Sequence, residues 1–272
     1  MPAVLTHIDC LGVPRQLGCK RTPPVVQTML GYAPVVEDLI PESEWEEFNE
    51  FPDEVKRKDQ GTSGACNGHE IATTCELTRY ASNQLYIALS AWFIYGNLVG
   101  PGGPDVGSSI GEGRVLIGNK GICPEVDLPY GKFDPDHFTK ESYDDALRYV
   151  TYSSEMVTSE LALMSHIQRR RACGVAIPVG DKFDQLDNDG IAVLDFYRAC
   201  NHAVTVGFGA KRGSDGLWLI LMTNSWSEAW GLKGQCWLRL AGLSRTRYFE
   251  AYVNLGLITD PQATDWDSRR VA

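Results

Sequence analysis

The chain of 272 residues carries 25 lysines and arginines against 35 aspartates and glutamates, a formal net charge of −10 at pH 7. With 43% hydrophobic and 22% charged residues, it has the composition of a soluble globular protein with a sizeable core, which excludes a disordered chain. Its acidic balance disfavours nucleic acid and anionic membrane surfaces as partners, because both are polyanions that repel it at a distance.

The sequence shows no pattern typical of a signal peptide or a membrane span. The first ten residues lack the features of a secretory signal, and the most apolar stretch, residues 85–95, is about half of the roughly 20 residues that a membrane span requires. We therefore expect neither a signal peptide nor a transmembrane segment and interpret 85–95 as a buried helix.

None of the eight cysteines forms a Cys-x-x-Cys pair, which disfavours structural zinc. Most are expected to be buried thiols, and Cys10 with Cys19 is the disulfide pair to test first.

The predicted elements change character along the chain. Residues 1–38 contain several prolines without sustained periodicity, which predicts an extended N-terminal arm. Helical spacing follows at 67–80, at 85–95, through Val115 and Ile117, and from about 159 to 171, with Gly174 expected as a C-terminal cap. Short β-type runs separated by glycine-rich turns then occur at 175–179, 203–208, 217–222 and 236–240. Helices followed by strands predict an α+β fold of two layers or lobes with a site at their seam.

One cysteine stands in a segment suited to catalysis. In Gln60-Gly-Thr-Ser-Gly-Ala-Cys66 a glycine-rich loop precedes a predicted helix that begins at Cys66. A helix N-terminus carries about half a unit of positive charge, which favours the nucleophilic thiolate over the thiol. Because cysteine is also a common small core residue, this segment by itself leaves a plain buried thiol as an alternative.

Two later motifs complete a recognisable series. Asn201-His-Ala-Val204 lies at the start of a β-type run, with His202 136 residues after Cys66, and Asn224-Ser-Trp-Ser-Glu-Ala-Trp-Gly231 follows. In this order the three motifs resemble those of the papain-like cysteine peptidases, whose cysteine-to-histidine spacing is roughly 130–150. The resemblance continues through residues 107–114, 121–130 and 182–191, covers about 39–258, and is closest to bacterial and viral members of the family.

The resemblance implies a papain-like two-lobed α+β fold, with the active-site cleft between the lobes. The helical N-terminal lobe would span about 60–150 and the C-terminal lobe, an antiparallel β-sheet or barrel, about 174–258. Residues 39–260 would then form the peptidase domain, flanked by the arm at 1–38 and a polar C-terminal tail at 261–272.

The resemblance also assigns four catalytic roles. Cys66 would be the nucleophile and His202 its general base and acid. Asn224 would accept a hydrogen bond from the imidazole and hold its reactive tautomer. Gln60 would donate its side-chain N–H to the tetrahedral oxyanion together with the Cys66 backbone N–H.

Three further positions are expected to contact or shield the substrate. Trp226 would cover the hydrogen bond between His202 and Asn224 and exclude water from it. Gly107 and Ser108 correspond to the paired glycines that bind the peptide backbone along the cleft, although the second glycine is absent here. Other departures change the cleft wall or a disulfide position without removing a catalytic group; these are Ser63, Asn67 and Ser227.

The remaining histidines and acidic residues give weaker signals. His69, three residues after Cys66, would complete half of a metal site, but without a second half it is predicted to lie on a helix surface. Surface or helix-capping positions are expected for His7, His137 and His166. A solvated loop is the preferred interpretation of the acidic residues Asp105, Asp181, Asp184, Asp187 and Asp189, with cation binding as the alternative. We assign no metal and no cofactor.

The function predicted from these residues is hydrolysis of peptide bonds in a peptide or protein substrate through a thioacyl-enzyme on Cys66. Two alternatives remain open. The same triad could cleave a peptidoglycan cross-link or another isopeptide or amide, since fold and triad leave the acyl group undefined. Alternatively, an inactive member of the fold could serve as a structural or assembly component, such as part of a virus particle, binding protein partners through its arm. A cytoplasmic or virion-associated location is expected.

Overall fold

The structure is a computed structural model that describes residues 5–30, 39–128, 131–151 and 154–259. The α-helices are α1 (Pro24–Leu30), α2 (Cys66–Ala81), α3 (Ala91–Val99), α4 (Ile110–Lys120), α5 (Lys140–Ala146) and α6 (Glu160–Gln168). The strands are β1 (Leu5–Ile8), β2 (Pro14–Leu17), β3 (Cys19–Lys20), β4 (Phe48–Asn49), β5 (Ser108–Ser109), β6 (Tyr149–Thr151), β7 (Ser154–Met156), β8 (Cys173–Ile177), β9 (His202–Arg212), β10 (Trp218–Thr223), β11 (Gln235–Arg239), β12 (Ala251–Asn254) and β13 (Leu257–Thr259). Short 3₁₀ turns lie at Glu42–Glu44, Pro135–His137 and Leu243–Arg245.

The first lobe is built around α2, whose predicted start at Cys66 is confirmed. Nearly all of its side chains are buried, because α2 packs against α3 and α4 on one side and against β9 on the other. The expected helix at 85–95 begins later, at Ala91, since the Ser90 hydroxyl accepts a hydrogen bond from the backbone N–H of Phe93 and caps the helix there. Leu89, just before the cap, instead makes an isolated β-bridge with Pro124.

The second lobe is a seven-stranded antiparallel sheet. Its strands lie in the order β11-β10-β9-β8-β12-β7, and β4 adds to β9. The four predicted β runs correspond to β8, β9, β10 and β11, so the predicted α+β fold with a helical lobe and a sheet lobe is confirmed. The 11-residue β9 is the strand against which α2 packs, and His202 at its start therefore lies at the seam.

The predicted role of Gly174 is wrong. Helix α6 ends at Gln168, and the chain reverses at Arg170, which has a left-handed φ of 58°. Gly174 lies within β8, where a Cβ atom would come within 1.8 Å of the carboxylate of Glu70 on α2. The glycine therefore permits close approach of the two lobes rather than capping a helix.

The N-terminal arm is more structured than expected. Strands β1 and β2 form an antiparallel hairpin, β3 pairs in parallel with β5, and α1 follows. A proline at the first helical position suits the start of α1, because its fixed φ is already helical and its missing N–H needs no partner. The arm from 5 to 30 crosses the seam between the lobes. Residues 31–38 and the predicted tail at 261–272 lie outside the described residues.

Within the described part of the chain, no helix combines the length and apolar character needed to cross a membrane. All eight cysteines are free thiols, and only Cys10 is exposed.

Candidate active site

Cys66 lies at the first position of α2, at the seam, with no exposed surface. Backbone N–H groups of Ala203 and Gly18 approach its sulfur, but burial dominates and raises the pKa of the thiol to about 11. The thiol is therefore protonated at neutral pH. The thiolate expected from the helix N-terminus does not form while the site is covered, because desolvation of the anion outweighs the favourable dipole.

His202, which directly precedes Ala203, is paired with Asn224. The His202 Nε2 atom lies 2.8 Å from Asn224 Oδ1, which also accepts a hydrogen bond of 2.8 Å from the backbone N–H of Ser225. Since Oδ1 can only accept, Nε2 carries the proton and Nδ1 keeps its lone pair. Among the described residues Nδ1 has no hydrogen-bond partner. Burial lowers the pKa of His202 to about 4, so the ring is neutral and able to accept a proton.

Trp226 packs against this pair. Its ring lies 4.9 Å from the imidazole of His202, between centroids, and both residues are fully buried. His7 of the arm also stacks on Trp226, at 5.4 Å with an interplanar angle of 18°. Phe183 packs edge-on against Trp226 at 5.5 Å. The aromatic cluster excludes water and so strengthens the hydrogen bond between His202 and Asn224.

Gln60 is held by Ser225 and Ser63, and its second side-chain N–H points to the arm. Its Oε1 accepts a hydrogen bond of 2.7 Å from the Ser225 hydroxyl, and its Nε2 donates one of 2.7 Å to the Ser63 carbonyl. The same Nε2 donates at 3.2 Å to the backbone carbonyl of Gln16 in the arm. A carbonyl oxygen of the arm thus accepts a hydrogen bond from the amide group that is expected to donate to the oxyanion.

Gly107 and Ser108 line the other wall of the seam. The backbone N–H of Ser108 donates to the Gly18 carbonyl at 2.9 Å, and that of Gly107 donates to the Tyr95 hydroxyl at 3.1 Å. A Cβ on Gly107 would lie 1.8 Å from the Gly18 carbonyl oxygen. Glycine is needed here because two backbones approach closely. In this structure the edge contacts the backbone of the arm, and binding of a substrate backbone by Gly107 and Ser108 stays a prediction.

The arm is anchored on the side of Trp226. Arg15, 2% exposed, donates to Asp9 at 2.7 Å, to Asp59 at 2.6 Å and to the Trp226 carbonyl at 3.2 Å. His7 forms a short hydrogen bond with Asp184. Further along, the Cys19 N–H donates to the Asn201 carbonyl at 3.0 Å. The arm therefore bridges the whole width of the cleft.

Several sequence predictions about single residues are wrong. His7 was expected at a surface or helix-capping position and His69 on an exposed helix face, yet His7 is buried in β1 and His69 is buried in α2; His166, for which the same two positions were expected, is buried in the last turn of α6 and so is not at the surface. Asp184 is also nearly buried, since it accepts hydrogen bonds from His7 and, at 2.5 Å, from Trp230. These contacts join residues far apart in sequence, so no local pattern could reveal them. In the described ranges no three metal-binding side chains cluster.

Asp105 supports the nucleophile loop, a role that the sequence did not indicate. It accepts a hydrogen bond of 2.8 Å from the Gly64 N–H, two residues before Cys66, and another from the Tyr95 hydroxyl. Tyr95 in turn accepts from Gly107. One carboxylate thereby links the nucleophile loop to the peptide-binding edge.

Comparisons with solved structures agree with this fold. The solved structures similar to the chain include xylellain, a cysteine protease from Xylella fastidiosa (19% identity, TM-score 0.64, 89% of this chain and 91% of that one). Others are digestive procathepsin L2 of Tenebrio molitor larval midgut (18%, 0.62, 78% and 68%) and bromelain from Ananas comosus in complex with the E64 inhibitor (19%, 0.58, 75% and 94%). At these identities they establish the fold alone.

At the level of sequence the family is recognised, although no individual curated protein matches. A search of curated protein sequences finds no match to the chain. The profile described as papain family cysteine protease, however, matches residues 53–246, well over half of the chain. That span contains the helix begun by Cys66, the strand begun by His202, and Asn224. The chain therefore belongs to the papain family of cysteine proteases.

Proposed function

We propose that the chain is a cysteine peptidase that hydrolyses peptide bonds with Cys66 as nucleophile, His202 as base and acid, Asn224 as the orienting group and Gln60 as an oxyanion donor. The observation that carries this proposal is the hydrogen bond from the Gln60 amide to a peptide carbonyl, that of Gln16, in the arm segment whose Gly18 backbone approaches the Cys66 sulfur.

The chemistry follows from the protonation states. With Nε2 committed to Asn224, the free Nδ1 lone pair of His202 takes the thiol proton as sulfur attacks the carbonyl carbon. The oxyanion accepts hydrogen bonds from Gln60 Nε2 and the Cys66 N–H. The imidazolium returns its proton to the leaving amine, giving a thioacyl-enzyme. Water, deprotonated by His202, then attacks the thioester, releases the acid and regenerates the thiol.

The arm occupies the cleft in the orientation opposite to a cleavable substrate. Because the imidazolium must protonate the leaving amine, the C-terminal part of a substrate lies on the side of His202 and Trp226. In the arm that side holds His7 and Arg15, which precede Gln16. The bond after Gln16 would release its amine on the wrong side. We infer that the arm covers the site uncleaved and that turnover requires the arm to leave.

The decisive experiment is peptide-level mass spectrometry of the native chain after long incubation with an epoxide-type thiol-peptidase inhibitor. We expect one adduct, on Cys66, that is lost in His202→Ala and retained in the matched control His137→Ala, since His137 is exposed. No adduct on Cys66, or labelling that ignores His202, would overturn the proposal and favour an inactive structural member. Cleavage of peptidoglycan but not of unfolded protein would favour the alternative in which the same residues hydrolyse a peptidoglycan cross-link or another amide.

A further inference from the structure

The guanidinium of Arg15 in the arm is enclosed by hydrogen-bond acceptors that belong to the rest of the protein. Arg15 is 2% exposed. Its Nη1 donates to the Asp59 carboxylate at 2.6 Å and to the Gly61 carbonyl at 3.1 Å, and its Nη2 donates to the Trp226 carbonyl at 3.2 Å. The guanidinium carbon also lies 5.9 Å from the centroid of the Trp226 ring. One carboxylate and two carbonyls outside the arm therefore converge on a single cation, and we call these three acceptors the guanidinium site.

The guanidinium site is held in place by contacts that do not involve the arm. Asp59 and Trp226 form an antiparallel β-bridge, and backbone hydrogen bonds of 2.8 and 3.1 Å join residues 58–60 to residues 225–227. The Gly61 N–H donates to the Asp59 carboxylate at 2.9 Å and so fixes its orientation. Departure of the arm would remove the cation and leave the arrangement of acceptors intact.

The guanidinium site suits arginine better than other side chains. A planar guanidinium donates to the Asp59 carboxylate and to both carbonyls at once while it lies over an indole ring. A lysine ammonium is a compact, more strongly hydrated charge without this fork of donors, and an acidic side chain would be repelled by the carboxylate. The side chain of Asp59 is 39% exposed even with Arg15 bound, so a ligand can reach it from solvent.

The position of the guanidinium site indicates which part of a substrate it would contact. Arg15 directly precedes Gln16, whose carbonyl accepts a hydrogen bond from Gln60. The C-terminal part of a substrate lies on the Trp226 side of the cleft, because the imidazolium of His202 must protonate the leaving amine. The guanidinium site therefore faces the first residues after the cleaved bond.

We infer that Asp59, with the carbonyls of Gly61 and Trp226, binds an arginine of the peptide substrate at one of the first positions after the cleaved bond. This inference rests on the proposed function, because it places a substrate in the cleft in the productive direction. In the covered state Arg15 of the arm occupies the same site, so the arm and an arginine-containing substrate exclude each other there. Asp59 thus determines specificity on the leaving-group side.

The first experiment measures binding without turnover. The full chain carries Cys66→Ala to prevent cleavage, Arg15→Ala to empty the guanidinium site and Gly18→Ala to weaken arm docking. Fluorescence anisotropy compares labelled peptides of otherwise uncharged sequence that carry one arginine or one citrulline, a neutral side chain of nearly the same shape. We expect arginine to lower Kd by about 10-fold, because the charge-assisted hydrogen bonds form at a partly exposed carboxylate.

A substitution of Asp59 assigns this preference to the guanidinium site. Asp59→Asn removes the charge and keeps an oxygen that can accept the hydrogen bond from the Gly61 N–H, and it should abolish the difference between the two peptides. The matched control Asp136→Asn, exposed in the 3₁₀ turn at Pro135–His137, should keep the difference. Since both peptides compete with the same arm, arm opening cancels from the ratio of their Kd values.

A second experiment locates the arginine relative to the cleaved bond. The chain with Arg15→Ala and Gly18→Ala, and with Cys66 intact, digests a mixture of peptides of known sequence, and mass spectrometry identifies the cleaved bonds. We expect arginine to be enriched among the residues that follow these bonds and the enrichment to disappear with Asp59→Asn.

Equal affinity for the arginine and citrulline peptides, absence of binding by both, a preference that survives Asp59→Asn, or arginine enriched only before the cleaved bond would overturn the inference. Failure of the proposed function appears separately, as absence of Cys66 labelling by the epoxide inhibitor in the wild-type chain. The binding ratio is measured without the Cys66 thiol and does not depend on that outcome, so the two failures are distinguishable.

Discussion

The substitution Gly18→Ala, which adds a single methyl group, should be enough to weaken docking of the arm in the cleft. A Cβ added there would lie 2.1 Å from the Gly64 carbonyl oxygen and 2.7 Å from Gly64 Cα, both backbone atoms. Since Gly64 is itself held by Asp105, the clash is relieved by movement of the arm. We predict that Gly18→Ala shifts the covered site toward the open state.

The magnitude follows from the contacts that such a shift breaks. Retreat by about 1 Å restores a tolerable separation of about 3 Å between side chain and backbone. The hydrogen bonds from Ser108 N–H to the Gly18 carbonyl (2.9 Å) and from Cys19 N–H to the Asn201 carbonyl (3.0 Å) would then exceed bonding distance. At about 0.5–1.5 kcal/mol each, their loss weakens arm docking by about 1–3 kcal/mol, or about 5- to 150-fold in the open population.

The assay is the rate of Cys66 modification by an epoxide inhibitor, which reports the open fraction because only the open site binds it. Gly118→Ala is the matched control, since a Cβ on Gly118 meets nothing within 4 Å. Circular dichroism checks that both variants fold. An unchanged labelling rate in a folded Gly18→Ala variant would refute the view that the arm limits access.

Two further outcomes follow from buried groups. Burial holds the pKa of His69 and of His202 at about 4, below the roughly 6.5 of an unfolded chain, so the unfolded state binds more protons between these values. The free energy of unfolding in urea should therefore fall as pH falls from 6.5 to 4, by up to about 3 kcal/mol per histidine, and His69→Gln should reduce the slope; an unchanged slope would count against it. Arg114→Leu should destabilise the fold by about 3–5 kcal/mol, because Arg114 and Glu70 form a fully buried ion pair; urea unfolding measures this, and a loss under 1 kcal/mol would show that Glu70 is neutral.

Local patterns in the sequence were sufficient for the elements and for the order of the motifs. The start of α2 at Cys66, the four runs at β8 to β11 and the two-lobed α+β class follow from periodicity, turn residues and resemblance. These signals are short-range, because each depends on neighbours along one helix or strand. Element ends that depend on a cap or on contact between lobes were missed, as Ser90 and Gly174 show.

The covered state of the site was decided by tertiary structure alone. Nothing local in residues 5–30 indicates that the Gln16 carbonyl reaches Gln60, or that Thr22 reaches Glu250, because each contact joins segments 44 and 228 residues apart. The protonation of Cys66 follows the same logic. Its helix N-terminus favours a thiolate, whereas burial beneath the arm keeps the thiol neutral. The sequence thus determined which groups the site contains, and packing determined their charge and access, since desolvation depends on everything that surrounds a group.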